Sequence, residues 1–317
     1  MAHTIHEGPM TSTTSQQGTG IAIVAPGGYA PDQAAFHAAL ASLEARGFSV
    51  HNYYDPARKH QRFGDTDAAR LRQLHAAARD PDVDIVLALR GGYGMSRLLP
   101  AIDFDLLAAS GKLFVGHSDF TALQMGLLAQ AGAASFAGPM ICDDFTRADT
   151  SDFTMRHFMT CISLPEHAVT VAQPGNPALE ESGTLWGGNL TMLTHLLGTP
   201  YLPRIEGGIL FVEDVNEHPY RVERMLLQLR HAGILDSQKA LLLGDFSGYR
   251  LSEYDNGYDF AAMLEYLRAT LRVPVLTGLP FGHTRDKVTL AVGSRASLVS
   301  DGRGYTLTMA GYPWVGG

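Results

Sequence analysis

Short, fully apolar runs alternate with stretches of helical periodicity through the first half of the chain. Ile21–Ala25 reads as a buried strand and is broken by Pro26-Gly27-Gly28; Phe36, Leu40 and Leu43 then recur at the spacing of one helix face, closed by Gly47. The alternation continues with a strand over Ser49–Tyr53, a helix over Thr66–Ala78, a strand over Ile85–Leu89 and a helix containing Leu98 and Leu99. Leu113–Val115, a helix over Ala122–Gln130 and the apolar Ala134–Ala137 extend it further. Strand–helix repetition of this kind predicts an α/β fold with a mainly parallel sheet flanked by helices. Its ligand crevice lies beyond the carboxyl ends of the strands.

The pattern fails between Glu166 and Ser182, where Pro174, Gly175, Asn176 and Pro177 follow Pro165. Residues 166–182 are therefore expected to link an N-terminal domain, 20–165, to a C-terminal domain, 183–317. In the second domain Gly208–Val212, Ala240–Leu243 and Val273–Leu276 read as strands, and Val222, Met225, Leu226 and Leu229 mark a helix closed by Gly233. Val288, Leu290 and Val292 alternate, as do Tyr305, Leu307 and Met309 beyond an Asp301-Gly302 turn. This predicts a smaller mixed α/β domain with antiparallel terminal strands.

Composition narrows the class. A net charge of -8 argues against a nucleic-acid surface. Cys142 and Cys161 lack C-x-x-C spacing, which suggests neither a disulfide framework nor a zinc site. Residues 1–19 are polar and rich in Thr, Ser, Gln and Gly, without the basic start and apolar core of a signal peptide, and are expected to form a disordered tail. No run approaches the roughly 18 apolar residues of a membrane span. A cytoplasmic protein is the expectation, with no membrane contact.

Gly116-His117-Ser118-Asp119-Phe120 is the most telling segment, because it sets a serine between an apolar strand and a helix. On such a turn a serine is either a nucleophile beside an oxyanion-binding N–H or simply a helix cap. A nucleophile needs a base, and among thirteen histidines His283 is best placed, in the loop after the Val273–Leu276 strand. Otherwise it is an exposed loop residue. Glu213 and Asp214 end another strand, and alternation lets only one of them face the crevice. Arg90-Gly91-Gly92-Tyr93-Gly94 lacks a dinucleotide fingerprint and supplies either oxyanion N–H groups or a plain tight turn. Trp186-Gly187-Gly188-Asn189 reads equally as a pocket wall or a packed turn. No H-E-x-x-H is present and the histidines are scattered, so neither metal nor cofactor is expected.

Together, Ala88–Gly94, Gly116–Ala122, Gly183–Leu190, Val212–Pro219 with Arg221 and Arg224, and Gly278–His283 resemble the blocks of the LD-carboxypeptidase (muramoyltetrapeptide carboxypeptidase) family of serine peptidases. The resemblance implies a flavodoxin-like first domain and a cytoplasmic homodimer. It implies removal of the terminal D-alanine from recycled murein tetrapeptides, with Ser118 as nucleophile, His283 as general base and Glu213 orienting it. The N–H groups of Asp119 and Gly92 become the oxyanion donors. Arg90 is a candidate for the substrate carboxylate, with Trp186 and Asn189 as further substrate contacts. The family also contains immunity peptidases that cleave microcin-type peptidyl-nucleotides, and a non-catalytic peptide-binding module is the alternative from another class.

Overall fold

A computed structural model describes residues 18–317. Of the expected tail, residues 1–17 lie outside the described residues. Gly18 N–H donates to Gly47 O at 3.2 Å, and Ser49 N–H donates to Thr19 O at 2.9 Å.

The first sheet begins with β1 (Gly20–Val24), β2 (Ser49–Asn52), β3 (Ile85–Ala88), β4 (Leu113–Gly116) and β5 (Ser135–Ala137). These strands pair in parallel in the order β2-β1-β3-β4-β5, the flavodoxin-like arrangement. β1, β3, β4 and β5 are buried along their whole length, which explains their largely apolar sequences. Between them run α1 (Gln33–Ala45), α2 (Asp67–Arg79), α3 (Met95–Leu98), α4 (Phe104–Ala109) and α5 (Thr121–Ala131). Asp32 caps α1 by accepting from Ala35 N–H at 3.0 Å, and Phe36, Ala39 and Leu43 form its buried face.

Next come α6 (Asp152–Ser163), β6 (Glu166–Val171), β7 (Leu179–Asn189), α7 (Leu190–His195), β8 (Ile209–Val215) and α8 (Pro219–His231). β9 (Ala240–Ser247), α9 (Phe260–Thr270), β10 (Val275–Thr277), β11 (Leu290–Val292), β12 (Arg295–Ser300) and β13 (Tyr305–Ala310) complete the chain. A seven-stranded sheet runs β10-β9-β8-β7-β12-β13-β6. Its β10-β9-β8-β7 part is parallel, and its pairs beyond β7 are antiparallel.

Two expectations change. Residues 166–182 are not a linker throughout: β6 pairs with β13, and β7 has already begun at Leu179. Pro165 and the breakers from Pro174 flank β6, whose exposed and buried residues alternate as in a strand with one wet face. β11 leaves the C-terminal strands and pairs antiparallel with β5, Leu290 opposite Ala137 and Val292 opposite Ser135. Covering β5 in this way protects what would be an open edge. Among the described residues no helix is long and apolar enough to cross a membrane.

The two sheets meet at strand ends. Asn189 N–H, at the end of β7, donates to Thr121 Oγ1, at the start of α5, at 3.1 Å.

Candidate active site

β4 passes into a single 3-10 turn, Ser118–Phe120, and straight on into α5. Ser118 carries a φ of 61°, a strained setting for a residue with a side chain, costing on the order of 1 kcal/mol. Room for it comes from Gly91, where a Cβ would stand 2.7 Å from both Cβ and Oγ of Ser118. The turn is stapled in place by Asp119, whose buried Oδ2 accepts from Met95 N–H at 2.9 Å. Burial pushes the Asp119 carboxyl up to about 6, against the Met95 hydrogen bond and the positive charge of Arg70. Arg70 is itself buried and donates to the carbonyls of Pro26 and Gly94, tying together the loops after β1 and β3. The backbone N–H groups of Asp119 and Gly92 donate to no acceptor among the described residues.

Glu213 lies on β8 opposite Asn189 of β7 and is 0% exposed. Its Oε1 accepts from Asn189 Nδ2 at 3.2 Å, and its Oε2 accepts from His283 Nδ1 at 2.8 Å. The sequence left Glu213 and Asp214 as rivals, yet both reach Asn189, because the β8–β9 register shifts between Val212 and Asp214. Asp214 has a separate task. It accepts from Asn189 Nδ2 at 3.0 Å, Thr191 N–H at 2.9 Å and Thr191 Oγ1 at 2.8 Å, fixing the start of α7.

His283 follows β10 in a loop held to β9, where Asp245 N–H donates to Phe281 O at 2.8 Å. Burial alone would lower its pKa, but the Glu213 hydrogen bond and the charges of Glu213 and Asp214 outweigh burial and the opposing charge of Lys287, so the pKa is raised. Commitment of Nδ1–H to Glu213 leaves Nε2 as the free nitrogen. His117, the neighbour of Ser118, packs its ring edge-on against His283 with centroids 5.3 Å apart. It donates Nδ1–H to Gly138 O at 2.8 Å; burial first, then the charges of Lys287 and His283, hold it well below the ordinary histidine range, and so neutral. The structure thus joins Glu213 to His283 by a hydrogen bond, and the ring of His117, the residue before Ser118, packs against His283.

The expected substrate contacts fare differently. Trp186 is 1% exposed and donates Nε1–H to Gln238 Oε1 at 2.8 Å, so it is core and offers no wall to a substrate. Asn189 is also buried, its amide donating to Glu213 and Asp214, so the structure shows it placing the acid. Arg90 reaches across Gly28 to donate from Nη1 to Tyr29 O at 3.3 Å, and its buried Nε has no partner. Its guanidinium holds a loop through a carbonyl, and no acid pairs with it among the described residues. Sequence reasoning missed the roles of Gly91, His117 and Asn189, although the Arg90–Gly94, Gly116–Phe120 and Trp186–Asn189 segments had drawn attention to all three.

Comparison with known proteins identifies the family. Residues 21–138 match the family model of the LD-carboxypeptidase N-terminal domain, and residues 182–298 match that of the LD-carboxypeptidase C-terminal domain. A probable murein peptide carboxypeptidase of Bacillus subtilis (strain 168) is 31% identical over 287 residues, covering 89% of this chain and 89% of the relative. The microcin C7 self-immunity protein MccF of Escherichia coli is 27% identical over 274 residues, 75% of this chain and 78% of that protein. The crystal structure of muramoyltetrapeptide carboxypeptidase from Oxalobacter formigenes superposes with a TM-score of 0.90 at 59% identity, covering 93% of this chain and 100% of that one. With both halves matched in order and a relative above 30% identity across most of its length, the chain belongs to the LD-carboxypeptidase family.

Proposed function

We propose that this protein is a serine-type LD-carboxypeptidase that removes the terminal D-alanine from murein tetrapeptides in the cytoplasm, with Ser118, His283 and Glu213 as its triad. The observation that carries the reading is the 2.8 Å hydrogen bond from His283 Nδ1 to the fully buried Glu213, taken with a strained serine at the end of β4 whose preceding residue, His117, packs against His283. A buried acid that fixes one imidazole nitrogen makes the other a base.

Ser118 Oγ attacks the carbonyl joining the L-configured centre of the third residue to D-alanine, and its proton passes to His283 Nε2. The negative charge that develops on the carbonyl oxygen is met by the N–H groups of Asp119 and Gly92. Collapse of the tetrahedral intermediate breaks the C–N bond, and His283 returns the proton to the departing amine. Water, deprotonated by His283, then cleaves the acyl-serine and releases the tripeptide. Throughout, Glu213 orients His283 and stabilises the imidazolium. A homodimer, implied by the family resemblance, belongs to the same reading.

The test is mass spectrometry of a defined murein tetrapeptide incubated with wild type and with Ser118→Ala. Wild type should produce the tripeptide and free D-alanine, and the variant should lose about a thousandfold or more in kcat while remaining folded. Similarity to MccF supports a second reading, hydrolysis of a peptidyl-nucleotide. Turnover of an aminoacyl-sulfamoyl adenylate with none of the tetrapeptide would favour it.

A further inference from the structure

His283 sits where the chain crosses between its two lobes. Upstream, Leu279 N–H donates to Leu243 O at 3.3 Å and Asp245 N–H to Phe281 O at 2.8 Å, fastening the approach to β9. Downstream, the anchors belong to the first lobe. Thr154 Oγ1 donates to Arg285 O at 3.0 Å and accepts from Lys287 N–H at 2.9 Å. Arg285 Nε pairs with Asp149 at 3.1 Å, Ser151 Oγ donates to Asp286, and β11 then enters the first sheet.

At the centre of this strap Lys287 Nζ pairs with Asp144 Oδ1, both side chains being 1% exposed. Asp144 is fixed in turn by Met140 N–H, which donates to its Oδ2 at 2.9 Å. A buried ion pair adds little stability over an apolar pair of equal volume, but one partner left alone is strongly unfavourable, so the arrangement admits little play. The histidine is four residues away along a segment tied down at both ends.

We propose that the Lys287–Asp144 pair positions His283 against Ser118 across the cleft, and that Lys287 also places a fixed cation in the field of the base. The inference rests on the triad reading above. The groups facing His283 are Glu213 and Asp214 from β8, Asp245 behind Gly282 on β9, the neutral His117 ring from the end of β4, and Lys287 from the strap. Removing the one cation in that set favours the imidazolium.

Lys287→Met should therefore lower kcat about tenfold or more with KM little changed, since misplacement of a catalytic group acts on the chemical step. It should also move the acid limb of the kcat/KM profile upward by about half a pH unit or more. The imidazole resonances of His283, titrated by NMR without substrate, should show the same upward shift. A purely structural role would lower the thermal midpoint and leave limb and titration in place. The double variant K287M/D144L leaves no unpaired buried charge and provides a folded protein should the single variant fail to fold; it should show the same two changes. Wild-type kcat and an unmoved His283 titration in either folded variant would overturn the proposal. Loss of activity in Ser118→Ala tests the triad separately. A wild-type enzyme inert toward both tetrapeptide and aminoacyl-sulfamoyl adenylate sinks the triad reading, while the NMR titration still decides the field of Lys287.

Discussion

Glu213→Gln keeps the shape of the buried acid and removes its charge. Glu213 accepts on one oxygen from His283 and on the other from Asn189. Asn189 cannot turn its amide to compensate, because Nδ2 also donates to Asp214 and its Oδ1 accepts from Met192 N–H at 3.1 Å. One side of the new amide must therefore point an N–H at a donor, either His283 Nδ1–H or Asn189 Nδ2. If it faces the histidine, the tautomer that leaves Nε2 free to accept the serine proton is lost. Even if it does not, the imidazolium formed in the transition state loses its counter-charge. Unit charges about 4 Å apart at an effective dielectric of about 20 attract by about 4 kcal/mol. With about 1.4 kcal/mol per tenfold in rate, kcat should fall about a thousandfold.

The pH profile adds an independent sign. Glu213 is among the causes that raise the His283 pKa, so in its absence burial prevails, the pKa drops and the acid limb of kcat/KM moves to lower pH. In wild type the raised pKa also contributes stability. That stability is fully present below about 6.5, the unfolded value, and is lost as pH rises through the folded value. The variant should lack this window. The assay is release of D-alanine from a tetrapeptide followed by mass spectrometry from mildly acidic to mildly alkaline pH, with urea unfolding in parallel. A variant within tenfold of wild-type kcat and with an unmoved limb would refute the role assigned to Glu213.

Gly91→Ala places a methyl group 2.7 Å from Cβ and Oγ of Ser118, and the resulting shift should reduce kcat about a hundredfold, measured beside the thermal midpoint. Trp186→Phe removes the donor to Gln238 and should cost about 1–3 kcal/mol in urea unfolding while leaving kcat/KM for tetrapeptide unchanged. A raised KM would return Trp186 to the substrate site. His157 and His167, 3.0 Å apart, are held down to about 4 and about 3, both chiefly by burial. The unfolded chain takes up these protons near 6.5, so stability should fall as pH drops from about 6.5 toward 4. Replacing His157 by leucine and His167 by phenylalanine should flatten that loss, read from urea midpoints at pH 7 and pH 5.

The first sheet was legible because strands buried on both faces must be apolar throughout, as Ile21–Val24, Ile85–Ala88 and Leu113–Val115 are. β6 and β11 were not, for different reasons. Proline and glycine on either side of β6 concealed its alternation, and nothing local in Leu290–Val292 says which sheet it will join, since partner choice is a tertiary matter. α6 carried a readable signal, Ser151 capping a helix that buries Met155, Phe158 and Ile162, whereas α7 is too short to show a period. In the site, residue type and strand-end position marked Ser118 and His283 as candidates but left Glu213 and Asp214 as rivals, and only the family resemblance chose Glu213; the bulge that brings Asp214 beside Glu213 leaves no mark in composition. Trp186 misled because of Gly187. A Cβ there would stand 1.9 Å from Phe211 O, so that glycine serves the approach of β8 to β7 and not a ligand.

The late arrival of β11 governs how the molecule comes into being. β1 to β5 are complete once Ala137 has been synthesised, yet the strand that shields β5 begins only at Leu290. Until then the nascent chain carries a ribbon bare along β5, a template for unwanted pairing with other chains. Completion of the proposed triad thus coincides with the protection of that flank, because His283 leaves the ribosome just ahead of the segment that seals it. Chains terminated before Leu290 would keep that flank bare and adhesive, and on the proposed triad those ending before His283 would also lack the base.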